Sequence, residues 1–225
     1  MTGADAVWRV RRAMGMGRLV PLGGPADGAW LTEQAAEPVL RRAAAAVPGV
    51  ALGPVRITLA DADTAAEPAV QPPPSALPPG PLRLDAQVSV WGQEPLPALA
   101  AALRAALFAA AADRLGLEVT KVDLQVSELL DAAPESESAQ ESDPRGVRAA
   151  EPTDAAGAAA AATTGVAHLT ATMGTAVHLA PDHVRVELAT APDHHPLDVA
   201  RAVRAAVSAA LADDRAVTVL VTSVA

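Results

Sequence analysis

The 225-residue chain has no cysteine, no tyrosine, one phenylalanine and, among 17 basic residues, a single lysine, Lys121. Without cysteine there is no disulfide and no thiolate metal site, which fits a reducing cytoplasm. Aromatics are only 2 % of the chain, and much of its 51 % hydrophobic content is alanine. That skew is typical of a GC-rich genome, so the preference for arginine says little about function. A basic excess is missing as well. The net charge of -9 repels phosphate backbones, and only Arg9, Arg11, Arg12 and Arg18 interrupt it, which argues against a nucleic-acid partner. An apolar leader is not seen, because Trp8, Arg9, Arg11 and Arg12 fall where a secretory signal needs an unbroken stretch. The longest apolar run, Leu96 to Ala112, is broken by Arg104 and made mostly of alanine, so it is expected to be too short and too weakly hydrophobic to span a bilayer. A soluble, cytoplasmic protein is expected, reaching a membrane only through an anchored partner.

What is present is periodic. Residues Ala6 to Ala13 suit a short basic helix, and the glycines and prolines from Gly15 to Gly28 read as a loop. Thr32 stands at an N-cap position before Glu33, and apolar residues recur at helical spacing until Pro48-Gly49. Pro38 should bend that helix or mark its first turn. Val55, Ile57 and Leu59 alternate as a strand, and Leu82, Leu84, Ala86, Val88 and Val90 as another with one wet face. Between them Asp61 to Pro81 holds seven prolines and is expected to be a long exposed loop within a hairpin. Leu99, Leu103 and Leu107 stripe a helix that begins at Pro97 and ends near Leu115-Gly116. Val122, Leu124 and Val126 close the set as a third strand. Asp131 to Pro152, with Glu135, Glu137, Glu141 and Asp143 among serines and prolines, reads as a solvated linker.

The pattern then recurs. Leu103-Arg104-Ala105-Ala106-Leu107 is answered 100 positions later by Val203-Arg204-Ala205-Ala206-Val207, and Leu84, Ala86 and Val88 fall on Val184, Val186 and Leu188 with parity kept. Val47-Pro48-Gly49-Val50-Ala51 corresponds to Thr163-Thr164-Gly165-Val166-Ala167, Ile57-Thr58-Leu59 to Val177-His178-Leu179, and Val122, Leu124 and Val126 to Val217, Val219 and Val221. The expected fold is α+β: two tandem α-β-β-α-β units, each a small three-stranded mixed sheet with helices on one face. Residues 1-29 form a basic segment and Gly-rich loop. Residues 30-130 form the first unit, with its Pro-rich loop at 61-81. The linker occupies 131-153 and a degenerate second unit 154-225.

Reactive chemistry is hard to find in this pattern. All five histidines, His168, His178, His183, His194 and His195, lie in the second unit. A strand rising about 3.3 Å per residue holds His183 and His194 roughly 30 Å apart. His194 and His195, adjacent on a strand-to-helix turn, are weak candidates for a surface metal ion, against a plainer reading as solvated loop residues. The first unit has Gln93-Glu94-Pro95 there instead. No G-x-S-x-G turn supports a serine nucleophile, and Gly15-Met16-Gly17-Arg18 lacks phosphate-loop spacing. No catalytic residue and no cofactor is expected, and the chain is read as not an enzyme. Trp30 and Trp91 read as packing. Trp8, with Arg9, Arg11 and Arg12, is the candidate partner contact because its helix is short and separate.

The first unit, from Leu31-Thr32-Glu33 through Val47-Pro48-Gly49-Val50, Leu96 to Leu115 and Leu117-Glu118-Val119-Thr120-Lys121-Val122-Asp123-Leu124-Gln125-Val126, resembles the alkaline shock protein family of bacterial envelope-stress proteins. The likeness covers about Trp30 to Leu129 and, more loosely, the second unit. It implies a non-enzymatic, cytoplasmic, self-associating scaffold, linked to the membrane through a partner's anchor, with no catalytic residue to carry over. The opening Gly17-Arg18-Leu19-Val20-Pro21-Leu22-Gly23-Gly24 is similar to that of actinobacterial proteins carrying a nucleopolyhedrovirus-like label, from which no mechanism follows. A scaffold acting through protein partners or self-association is therefore the leading expectation. The alternative is a regulatory module binding a small molecule in the cleft between units, with the histidine turn at its rim.

Overall fold

Two short strands, β1 (Leu19–Pro21) and β2 (Ala29–Thr32), open the part of the chain that the computed structural model describes, residues 17–133 and 147–224. The glycine and proline stretch read as a loop thus contains strand, because Gly23 and Gly28 take positive φ and turn the chain back on itself. Thr32 accepts a hydrogen bond from the Ala35 amide and caps α1 (Glu33–Ala45), which runs through Pro38 without ending. Strands β3 (Val50–Leu59) and β4 (Leu82–Trp91) pair antiparallel, and α2 (Leu96–Ala109), extended by a π-helical turn over Ala110–Leu115, carries the chain to β5 (Val119–Leu130), parallel to β4. These three strands form the mixed sheet B, in the order β3-β4-β5.

After the linker come β6 (Ala149–Ala150), α3 (Ala155–Ala161), β7 (Val166–Thr170), β8 (Val177–Leu179), β9 (His183–Thr190), α4 (Pro196–Leu211) and β10 (Ala216–Val224). They do not make a second three-stranded sheet. Among the described residues sheet A has seven strands, in the order β1-β2-β10-β9-β7-β6 with β8 also on β9. The N-terminal strands enlarge it: β2 lies parallel to β10, with Ala29, Trp30 and Leu31 facing Val219, Leu220 and Val221. Alanine-rich α3 is short, and Asp154 caps it through the Gly157 amide as Thr32 caps α1.

The Pro-rich insert does not stand free in solvent. Alternate residues of β10 point to opposite faces: Val217, Val219 and Val221 enter the main core beside the helices, while Leu220 packs with Leu19, Trp30 and Val70 in a second cluster on the far face. The insert roofs that face. Leu77 N–H donates to the Leu19 carbonyl at 2.9 Å, Trp30 Nε1–H to the Leu77 carbonyl at 3.0 Å, and Thr218 Oγ1–H to the Gln71 carbonyl at 2.8 Å. An extended proline-rich backbone has no partners within itself, so its free carbonyls suit it to lie along a sheet.

The first half runs helix, strand, strand, helix, strand and the second half helix, three strands, helix, strand, and around their parallel crossovers some individual bonds match. In sheet B, Leu84, Ala86 and Val88 face Val122, Leu124 and Val126, and in sheet A, Val184, Val186 and Leu188 face Val217, Val219 and Val221. Each ladder then slips, at Ser127 or Thr222, whose hydroxyl donates to the carbonyl of Val88 or Leu188, at 3.2 Å in both cases. Gly49 and Gly165 both turn with positive φ and accept from the amides of Trp91 and Ala191. The halves part at β3, which is continuous, whereas β7 and β8 are separated by residues 171–176. There the correspondence moves by two residues from the sequence reading: Val177 faces Val186, as Val55 faces Ala86.

Among the described residues one helix, Leu96–Leu115, is long and apolar enough by length and composition to cross a membrane, with a mean hydropathy of 1.5 over its best window. That corrects the expectation from its alanine content. Its Leu99, Leu103, Leu107 and Leu115 are nevertheless buried in the core.

Candidate interaction surface

The histidine turn is built into the fold. His194 Nδ1 lies 2.9 Å from the Pro192 carbonyl, and its ring packs on Gly165. His195 occupies the N-cap position of α4, with Nε2 3.3 Å from the Ala112 carbonyl of the N-terminal half and its ring against Gly116. A side chain at Gly116 would meet that ring, and φ of +73° there favours glycine independently. The turn expected at the rim of a cleft is thus part of the packing between halves. No group of three or more His, Asp or Glu side chains suited to a metal ion occurs among the described residues. His178 and His183 come together on β8 and β9, ring centroids 6.0 Å apart, with His183 Nδ1 2.9 Å from Asp182. Trp8, Arg9, Arg11 and Arg12 lie outside the described residues.

A buried carboxyl escaped the sequence reading. Glu187 alternates with Val186 and Leu188 and should face water, yet it is fully buried. The 171–176 turn covers it, with the Met173 amide donating to Oε2 at 3.0 Å and Arg185 Nη2 lying 3.4 Å from Oε1. Burial pushes its carboxyl pKa up, outweighing the Met173 amide and the Arg185 charge.

The two parallel ladders differ most at their outer edges. Val219 N–H donates to the Gly28 carbonyl, so β10 turns that residue's backbone toward β2. By the shared register Leu124 turns its backbone the same way on β5, but β5 ends sheet B and no described strand lies beyond it. Arg204 marks the filled edge: Nε–H donates to the Val217 carbonyl at 2.9 Å, and Nη1 to the Ala26 and Asp27 carbonyls at 2.7 and 2.6 Å. Arg201 adds an ion pair to Asp27 at 2.8 Å, and that guanidinium holds the Asp27 carboxyl below its usual range. Arg104 stands at the empty edge, its Nε–H on the Val122 carbonyl at 3.2 Å and no second carbonyl beyond it among the described residues.

Exposed apolar side chains gather at that end of sheet B. Val126 is 45 % exposed and Leu129 73 %, while Val221, which matches Val126, is fully buried. Leu96, at the start of α2, is also exposed. The outer face of the sheet bears a shallow polar groove of ≈ 390 Å³ lined by Arg56, Asp85, Gln87, Asp123 and Gln125 among others. The alternation of Val122, Leu124 and Val126 located β5 in the sequence, but the same alternation marks β10, whose edge is covered.

No family model, curated protein or solved structure matches the chain.

Proposed function

We propose that this chain is a non-enzymatic assembly protein made by duplication of one α-β-β-α-β unit, and that it works by offering the open edge of its first unit to a protein partner. The observation that carries this reading is the pair of edges: β10 holds β2, while β5, with the same register, ends its sheet among the described residues. Duplication is supported by the paired bonds of Arg104 and Arg204, of Ser127 and Thr222, and of Gly49 and Gly165. What recurs in these pairs holds backbone. An exposed strand edge with apolar side chains attracts further strands unless it is blocked, and covering it is a use as well as a safeguard. The resemblance to alkaline shock proteins points the same way, toward a self-associating scaffold of the cytoplasm that meets the envelope through an anchored partner.

Sedimentation of the full chain over a wide concentration series tests the proposal, with a version lacking residues 1–16 beside it. Deleting 1–29 would also remove β1 and the start of β2. Association that grows with concentration is the expected result. A strictly monomeric chain that also takes up no protein partner would overturn it.

A further inference from the structure

We infer that the open β5 edge pairs antiparallel with the β5 edge of a second copy of this chain, about a two-fold axis at Leu124. The inference rests on the assembly reading above and goes further by naming the occupant. Its basis is the order of charges along the strand. Ser127 is a bulged residue, so Val126, Glu128, Leu129 and Leu130 are successive ladder positions, facing Val88, Ser89, Val90 and Trp91. Thr120 is bulged likewise, between Val119 on Leu82 and Lys121 on Arg83. Leu124 therefore lies near the middle of the ladder that runs from Val119 to Leu130.

Pairing about Leu124 matches the strand to itself. Leu124 faces Leu124, and its outward N–H and C=O form two reciprocal hydrogen bonds, as opposed residues of an antiparallel ladder do. Val122 faces Val126 and Val119 faces Leu129, each pair occurring twice, which covers the exposed apolar end. Lys121 faces Glu128, also twice, and Asp123 faces Gln125. No like charges meet. Neighbouring centres are worse: Gln125 as centre sets Asp123 against Glu128, and Asp123 as centre sets it against itself. Opposed like charges destabilise a ladder and opposite ones support it, so the charges favour the Leu124 centre over either neighbour. Lys121 already lies 3.2 Å from Asp123 of its own chain, an exposed contact weak enough to be shared. Arg104 leaves room for the incoming strand, since Arg204 sits at the β10 edge together with β2.

The test uses the full chain. Lys121→Glu should weaken self-association about tenfold by setting two like-charged pairs in the interface. Glu128→Lys should do the same, and the double variant should return to within about twofold of the parent, because the swap restores both pairs. The chain has no cysteine, so Leu124→Cys should give a disulfide-linked dimer on mild oxidation, opposed Cα atoms of such a pair being about 5.5 Å apart. Gln87→Cys on the central strand should not. If the parent associates but the charge variants behave like it and Leu124→Cys stays unlinked, this interface is wrong and the assembly reading stands. A parent that is monomeric throughout, and whose β5 amides become protected from exchange only with a different protein, overturns the second-copy inference while leaving the edge in use. A parent that is monomeric and partnerless overturns both. Should a charge variant fail to fold, the cysteine pair decides.

Discussion

In sheet A the last strand, β10, has β9 on one side and β2 on the other, and its Val221 is fully buried; in sheet B the matching strand, β5, has β4 alone among the described residues, and Val126 is 45 % exposed. The second faces differ too. Sheet A carries the Pro-rich roof over Trp30 and Leu220, whereas the outer face of sheet B carries the groove of Arg56, Asp85 and Gln125. Both ladders share a central register and a bulge near the end, so the open and filled edges do not come from ladder geometry. They come from segments that reach sheet A from elsewhere in the chain: β1, β2 and the insert. One local pattern therefore yields a closed sheet or an open one according to what is laid against it.

The roof offers the largest test of that contrast. Trp30→Ala removes the fully buried centre of the second cluster and its bond to the Leu77 carbonyl, and should cost about 3–5 kcal/mol. Urea unfolding would measure it, and a loss below about 1 kcal/mol would mean that the roof adds little. Next is the arginine pair. Arg204→Ala loses three carbonyl bonds and should cost roughly 2 kcal/mol, whereas Arg104→Ala loses one and should cost under about 1 kcal/mol. Equal losses would remove the distinction between a filled and an empty edge.

The bulge hydroxyls should divide the same way on a smaller scale. Thr222→Val strips a buried hydroxyl that also meets Thr170 Oγ1 at 2.7 Å, and should cost about 1–2 kcal/mol. Ser127→Ala, at an exposed strand, should cost about 0.5 kcal/mol by the same unfolding measurement. The smallest expected effect is one of pH. Because the folded-state pKa of Glu187 is raised, its stabilising contribution is complete below the ordinary carboxyl value near 4.5 and is lost as pH rises through the raised value. Glu187→Gln should therefore narrow the gap in unfolding midpoint between about pH 4 and about pH 7.5. An unchanged gap would show that the buried carboxyl is not its source.

Sheet B was legible in the sequence because its elements are consecutive and each carries its own signal: Thr32 as cap, Gly49 as turn, and the alternation from Leu82 to Val90. The correspondence of Arg104 with Arg204 could be read as part of the helical repeat, though not the carbonyls that each holds. Strands β1 and β2 could not, being three and four residues long among glycines, with β2 pairing to a strand at the other end of the chain. Proline content rightly indicated an extended insert and said nothing of where it would lie. Val70, Ala76 and Leu77, spaced between the prolines, were the apolar signal available there. Glu187 escaped notice because alternation assigns a face but cannot show that a turn 14 residues earlier covers it. The open edge of β5 was invisible for a related reason: a strand's own residues do not say whether a neighbour arrives.

The distance between β2 and β10 also has a meaning in time. Thr32 and Thr222, which share a hydrogen bond, are 190 residues apart. On the ribosome, at about 5–20 residues per second, β2 would emerge roughly 10–40 seconds before its neighbour exists. During that wait the first half can fold around sheet B while β1, β2 and the underside of the insert remain without their sheet. Completion of sheet A is thus set by β10, Ala216–Val224, and a nascent chain arrested before it would present Trp30 and Val70 to the chaperones of the cell.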